Sequence, residues 1–273
     1  MNRQLNDAAD PLSGSPTETK TPDMRNALRW FLVLDLFIRL FLWTGALGLA
    51  FGAMNSLNWW PHENLEGAGW GLCWVWGKRI GGFVIFFNLF YVSGLIVLRM
   101  LTPTPTEGRY PLNGGPPNRQ LLFSAILGAL AKARYDAPFP GFFVFHVANL
   151  PPLCWLMGPI FGPKSKSCYA VDPNILDPQG VTLGRNVTIG FNTTVAGHYQ
   201  DREALTIKRT IIEDNAVVGA HSAVGGGAHI KAGAVIRAGS IVLPNTVVGE
   251  NEFWGGSPAR RLRELPPTES LTS

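Results

Sequence analysis

The residues best suited to chemistry lie in the stretch His198-Tyr-Gln-Asp-Arg-Glu. Here an imidazole is followed three and five positions later by the carboxylates Asp201 and Glu203. A neutral imidazole, with a pKa of about 6.5, accepts a proton readily near neutrality. A carboxylate on its other ring nitrogen fixes the tautomer, and Asp201 is the preferred partner by proximity. This is the equipment of a general base, and the alternative is an ordinary surface-loop histidine. His221 and His229 follow in the same half of the chain. Cys73, Cys154 and Cys168 are odd in number and widely spaced, which fits free thiols, excludes a disulfide scaffold and suggests no metal site.

The element that must position His198 is set by a period of six. Its first position is taken by Val171, Asp177, Leu183, Ile189 and Val195. After an interruption it resumes at Ile212, Val218, Val224, Ile230, Ile236, Val242, Val248 and Trp254. All but Asp177 and Trp254 are aliphatic. Gly is frequent at the second position (Gly184, Gly190, Gly219, Gly225, Gly249) and is expected to allow sharp corners. The fifth position is small or β-branched, as at Ala216, Ser222, Ala228, Ala234 and Ser240. Six fits neither a helix nor a simple strand. It fits a coil of three short strands with one aliphatic side chain pointing inward per side, stacked into a prism roughly 20 Å tall. His198 occupies a fourth position, facing outward, where the chain leaves the coil. His221 holds the same position in its own hexad, and stacking of the two is expected if residues 205–210 count as one distorted hexad.

The first half of the chain needs a different solvent. Residues 80–98 carry no charge, are flanked by Lys78, Arg79 and Arg99, and would rise about 28 Å as a helix, close to the thickness of a bilayer's hydrocarbon core. Residues 40–60 form a second uncharged run ending in Trp59 and Trp60, placed as an interfacial belt. If that helix begins near Leu28, Asp35 and Arg39 share a face and neutralise each other as part of an interfacial lead-in. Two spans put both chain ends on one side, and the basic residues Lys20, Arg25, Arg29, Arg99, Arg109 and Arg119 favour the cytoplasm for the C-terminal domain. Residues 138–161 are apolar but rich in Pro, so they read as a broken amphipathic segment lying on the bilayer or on the next domain, with His146 as a packing residue.

Composition agrees with a composite chain. Of 273 residues, 15% are charged and 46% hydrophobic, with 31 Gly and 21 Pro. That excludes a disordered polar protein and a plain helix bundle. The formal charge of +4 is scattered, so no nucleic-acid partner is indicated. The expected organisation is a disordered N-terminus (1–24), a two-span membrane region (28–101), a connecting segment (102–164), a β-helix domain (165–262) and a flexible tail (263–273).

Residues 171–260 resemble the left-handed parallel β-helix of hexapeptide-repeat acyltransferases. The stretch 211–242 is similar to the second half of their sugar and serine O-acetyltransferases, and WGGSPARRL (254–262) to their terminal signature. GRYPLNGG (108–115) and GHYQDREALTIKRTII (197–212) are similar to membrane-embedded C-terminal regions of nonribosomal peptide synthetases, with capsule and colanic-acid acetyltransferases next nearest.

The resemblance implies an all-β, left-handed parallel β-helix preceded by two transmembrane helices and an amphipathic helical segment. It implies transfer of an acyl group, in the first place acetyl, from acyl-CoA to a hydroxyl or amine acceptor, with His198 as base and Asp201 beside it. Asn192 and His221 would contact the acceptor, which is a small molecule or lipid-linked. Ala220 and Ala238 would leave room for the pantetheine arm, and Lys231, Arg237 and Arg260 would meet the phosphates of CoA. A homotrimer and no metal are implied, and the His spacing differs from that of the zinc-dependent γ-class carbonic anhydrases. Two further readings stand beside this one. The donor is a carrier-bound thioester in peptide-bond formation, or the prism is a non-catalytic trimeric membrane scaffold.

Overall fold

The computed structural model describes residues 24–58, 70–112, 118–136, 168–170 and 174–267. The expected disordered N-terminus up to residue 23, Trp59 and Trp60, the segment 138–161 with His146 and Cys154, and residues 268–273 lie outside them.

Two helices, α1 (Met24–Ser56) and α2 (Trp70–Leu101), are long and apolar enough over Arg29–Ser56 and Cys73–Leu101 to cross a membrane. Their outer faces expose large apolar side chains such as Phe37 and Phe41. The helices pack antiparallel. Gly94 lies so close to Leu42 that a Cβ there would meet its Cδ2 at 3.0 Å, Trp43 packs on Phe87, and Phe51 packs on Phe83. This register places Asp35 and Arg39 near the level of Arg99. As the spacing predicts, Arg39 Nε donates to Asp35 Oδ2 at 2.8 Å.

A third helix, α3 (Arg119–Asp136), stands where the sequence reading had only a connection. Its buried side chains include Leu121, Ser124, Leu127, Leu130 and Ala133, three apart, with Ala129 and Ala131 buried beside them. Asn118 caps it, accepting the Gln120 N–H on its side chain and the Leu122 N–H on its carbonyl. Leu127, Leu130 and Ala133 share a core with Leu42, Ala46, Phe87 and Tyr91, and the Tyr91 hydroxyl donates to the Ala133 carbonyl.

From residue 168 the chain winds into a three-faced parallel prism. One face stacks Cys168–Ala170, Val187–Ile189, Val217–Val218, Val235–Ile236 and Glu252–Gly256, and is closed by the antiparallel strand Ala259–Glu264. The second stacks Asn174–Ile175, Thr194–Val195, Ala223–Val224 and Ile241–Val242. The third stacks Val181–Leu183, Thr210–Ile212, His229–Ile230 and Val247–Val248. The aliphatic positions and the small fifth positions form one interior, with Ile189, Ile212, Ala216, Val218, Ala228 and Ala234 fully buried.

Two expectations about this coil are corrected. The corners are turned at the fourth hexad position, where Asn186, Asn192, Asn215, His221, Gly227, Gly233, Gly239, Asn245 and Asn251 all have positive φ. Asn and Gly tolerate that conformation best. The second-position glycines serve another need, because the coils touch there: a Cβ on Gly190 would lie 2.4 Å from Ala220 N, and one on Gly219 would lie 2.4 Å from Ala238 N. The first coil is also out of phase with the reading. Ala170 pairs with Ile189 and Ile175 with Val195, so Asp177 does not hold the aliphatic slot, and Val171 lies outside the described residues. A short 3₁₀ turn, Pro178–Gly180, takes up the extra length and leaves Asp177 at the corner between the second and third faces.

Candidate active site

At that corner the second coil opens. Instead of turning at His198, the chain runs out as a hairpin, His198–Gln200 against Ala204–Ile207, and returns at Thr210. The mouth is closed by Lys208 N–H to the Gly197 carbonyl, and by the Thr210 hydroxyl donating to the Ala196 carbonyl. A strand from the connection after α2, Gly108–Pro111, pairs with Ala204–Ile207 and makes a three-stranded sheet. The segment following α2 is thereby bolted to the prism beside His198.

The carboxylate partner of His198 is Asp177, not Asp201. His198 Nδ1–H donates to Asp177 Oδ2 at 2.5 Å, and the Gly197 N–H reaches the same oxygen at 3.0 Å. The Asp177 side chain is 7% exposed and that of His198 30%. Burial disfavours the imidazolium, but the hydrogen bond to Asp177 and its negative charge outweigh burial and raise the pKa of His198 above its ordinary value. With Nδ1 carrying the proton, Nε2 is the basic nitrogen.

Asp201 sits at the far end of the hairpin. His198 pairs with Ile207 and Gln200 with Leu205, so Asp201 belongs to the turn, about 10 Å along the strand from the imidazole. Its Oδ1 accepts the N–H groups of Glu203 and Ala204, and its Oδ2 pairs with Arg109. The two backbone donors, with Arg109, hold its pKa below the usual carboxylate value despite some desolvation. It shapes the hairpin and ties it to the strand Gly108–Pro111.

Asn192 and His221 come together, but not with His198. They stack one coil apart at the corner between the first and second faces, with Asn192 Nδ2 3.4 Å from His221 Nδ1 and the His221 ring edge-on to Phe191. The expected stacking of His221 on His198 is therefore overturned: the residue beneath His198 is Gly226, where a Cβ would lie 2.5 Å from the His198 carbonyl carbon. Ala220 and Ala238 share the corner of His221, joined by Gly239 N–H to the Ala220 carbonyl, and Arg237 is exposed beside them. Lys231 lies at the remaining corner, next to the third face, and Arg260 is exposed on the closing strand. The site residues read from the sequence are thus spread over all three corners of one prism. His229 is bound to Glu213 on the third face. Among the described residues no group of three His, Cys, Asp or Glu stands close enough to hold a metal ion.

Asp177 was missed by sequence reasoning, although its signal was visible: an acidic residue interrupting a column of aliphatic ones. Around the dyad lies a small cleft. One wall is Gln179, Gly180, Gly197 and Arg209 of the prism. The other is Thr104, Pro105 and Glu107 of the connection after α2, with Ser124 of α3.

Comparison with known proteins gives a consistent but loose likeness. Residues 209–244 match the family described as the hexapeptide repeat of succinyl-transferase. No curated protein matches. Among solved structures, the chain is similar to a hexapeptide-repeat-containing acetyltransferase from Vibrio cholerae O1 biovar eltor complexed with acetyl coenzyme A. The two are 20% identical over 54% of this chain and 90% of that one, with a TM-score of 0.39. A maltose O-acetyltransferase from Clostridium difficile 630 gives 15% identity over 53% and 86%, with a TM-score of 0.37. The N-acyltransferase AntD from Bacillus cereus gives 17% identity over 37% of this chain, and the match spans only 61% of AntD, with a TM-score of 0.33.

Proposed function

We propose that the protein is a membrane-anchored acyltransferase that moves an acyl group, in the first place acetyl, from a CoA thioester to a hydroxyl or amine. The observation that carries this reading is the His198–Asp177 dyad at the break in the hexapeptide coil. His198 Nε2 takes the proton of the acceptor as its oxygen or nitrogen attacks the thioester carbonyl. The tetrahedral intermediate collapses with cleavage of the C–S bond, and the imidazolium returns its proton to the departing thiolate. Asp177 holds the tautomer that makes Nε2 the base and stabilises the imidazolium that forms. The match at 209–244 and the small, outward Ala220 and Ala238 with Arg237 on one corner support a hexapeptide-type donor site, and with it a left-handed coil. Lys231 and Arg260 would serve the donor's phosphates only from other parts of the surface.

Because His198 and the Ala220–Ala238 corner are on different edges, one copy does not bring base and donor together. This supports a homotrimer whose site forms between neighbouring copies. The two apolar helices support membrane anchoring, and Arg29, Arg99, Arg109 and Arg119 favour a cytoplasmic prism. Purified protein is expected to transfer or hydrolyse the acyl group of acetyl-CoA, and His198→Ala to lower that rate by about 100-fold or more. A variant with full activity would remove His198 from the role of base.

A second reading has a carrier-bound aminoacyl thioester as donor and an amine as acceptor. It is favoured by the direct pairing of Gly108–Pro111 with Ala204–Ile207, since these strands lie in the two stretches that resemble the peptide-synthetase regions. The chemistry at His198 is the same, and the two readings separate by offering free acetyl-CoA against a loaded carrier protein.

A further inference from the structure

The depth of the cleft can be read from the helices. Arg79 and Arg99 bracket the charge-free part of α2, about 30 Å of helix at 1.5 Å per residue. Taking Arg99 as the level of the bilayer surface, Tyr91 lies about 12 Å below it. Ala133 of α3 is hydrogen-bonded to Tyr91, so α3 descends alongside the two longer helices to that level, with the exposed Lys132 off their shared core. Ser124, nine residues earlier on α3, is about 13 Å higher and so returns to the level of Arg99. Thr104 and Pro105 follow directly on the end of α2 at the same level. These are the residues that face His198 across the cleft. This wall is preformed: Gln120 Oε1 on α3 accepts the Thr106 N–H at 3.0 Å and clips the connection to the helix.

We propose that the acceptor is a membrane-resident amphiphile whose reactive hydroxyl or amine is held at headgroup depth against Thr104, Pro105 and Ser124, so that the helical unit and not the prism selects it. This rests on the reading of His198 as the base and of α1 and α2 as spans. A soluble acceptor would need no wall built from α3 and the connection that follows α2. An amphiphile rooted in the slab places its headgroup at that level without further guidance.

The test uses the full chain reconstituted in vesicles made from a total bacterial lipid extract, with acetyl-CoA labelled in the acetyl group. A parallel arm offers the water-soluble metabolites of the same cells in place of extracted lipid acceptors. The proposal expects label in the organic phase, with Ser124→Trp reducing it by about tenfold or more through filling the cleft. Arg119→Gln, on the exposed start of α3, should leave it unchanged. CoA binding of Ser124→Trp, measured in detergent, should match the parent and report an intact prism. Gln120→Leu, which removes the clip without adding bulk, should weaken lipid labelling in the same direction. Label confined to the soluble fraction, or lipid labelling indifferent to both Ser124→Trp and Gln120→Leu, would overturn the proposal while leaving the acyltransferase reading intact. Absence of any acetyl transfer or hydrolysis would overturn both.

Discussion

His198 has to be neutral to act as a base, and its bond to Asp177 raises its pKa. Activity should therefore climb with pH through a limb lying above about 6.5, the ordinary imidazole value. Asp177→Asn removes the charge while keeping the shape. It should move that limb to lower pH and reduce the plateau, because the imidazolium formed in the reaction loses its counter-charge. A pH–rate profile of the two proteins checks both effects, and an unmoved limb would argue against the dyad. The same pair has a thermodynamic sign. A folded-state pKa above the unfolded one adds stability that is complete below about pH 6.5 and fades as pH rises through the folded value. The stability difference between parent and His198→Gln should accordingly be larger at pH 6 than at pH 9. Sequence proximity misdirected the choice of carboxylate because a hairpin carries Asp201 away from His198, whereas stacking returns Asp177 to it from the preceding coil. Separation along a coil of this kind is a poor guide to contact, and the break in the aliphatic column at Asp177 was the better clue.

At the level of the element, the six-residue period was legible from Leu183 onward, since a narrow interior admits one aliphatic and one small side chain per side. The role of its glycines was not. Those at the second position accommodate the neighbouring coil, while the turn is made two positions later, chiefly by Asn and Gly. Gly226→Ala would drive a Cβ into the His198 backbone, so it should lower the melting temperature and displace the base, with activity lost more than stability. Asn215→Ala, with φ of 59° to maintain, is expected to cost about 1 kcal/mol, and Asn215→Gly much less. Thermal denaturation of the pair distinguishes backbone strain from the loss of the Asn side-chain contact, because only the former spares glycine. The helix α3 escaped notice because its short apolar stripe, LLFSAILGALA, lies among Gly and Pro that read as a connection. Its packing partners on α1 and α2 are what stabilise it.

Across the whole molecule, the base and the expected donor corner occupy different edges of one prism. A site formed between copies makes a specific prediction. Mixing His198→Ala with a variant blocked at the other corner, Ala220→Trp with Ala238→Trp, should restore about a quarter of parental activity after dissociation and reassembly, since one in four interfaces joins an intact base to an intact corner. No recovery would place both halves of the site in one copy. Neither the separation of the edges nor the joining of the connection to the hairpin could be read from the sequence, because both depend on where an insertion leaves the coil.

Only residues 102–107 lie between the end of α2 and the strand fastened to the hairpin. Fully stretched, six residues reach about 20 Å. With α2 in a bilayer, the prism is leashed to the surface and meets bilayer-borne molecules in two dimensions. The quantity that then governs turnover is acceptor per unit area of membrane, and not acceptor per litre. Diluting a fixed amount of acceptor with inert lipid should slow acyl transfer, while diluting the suspension with buffer that holds acetyl-CoA constant should not.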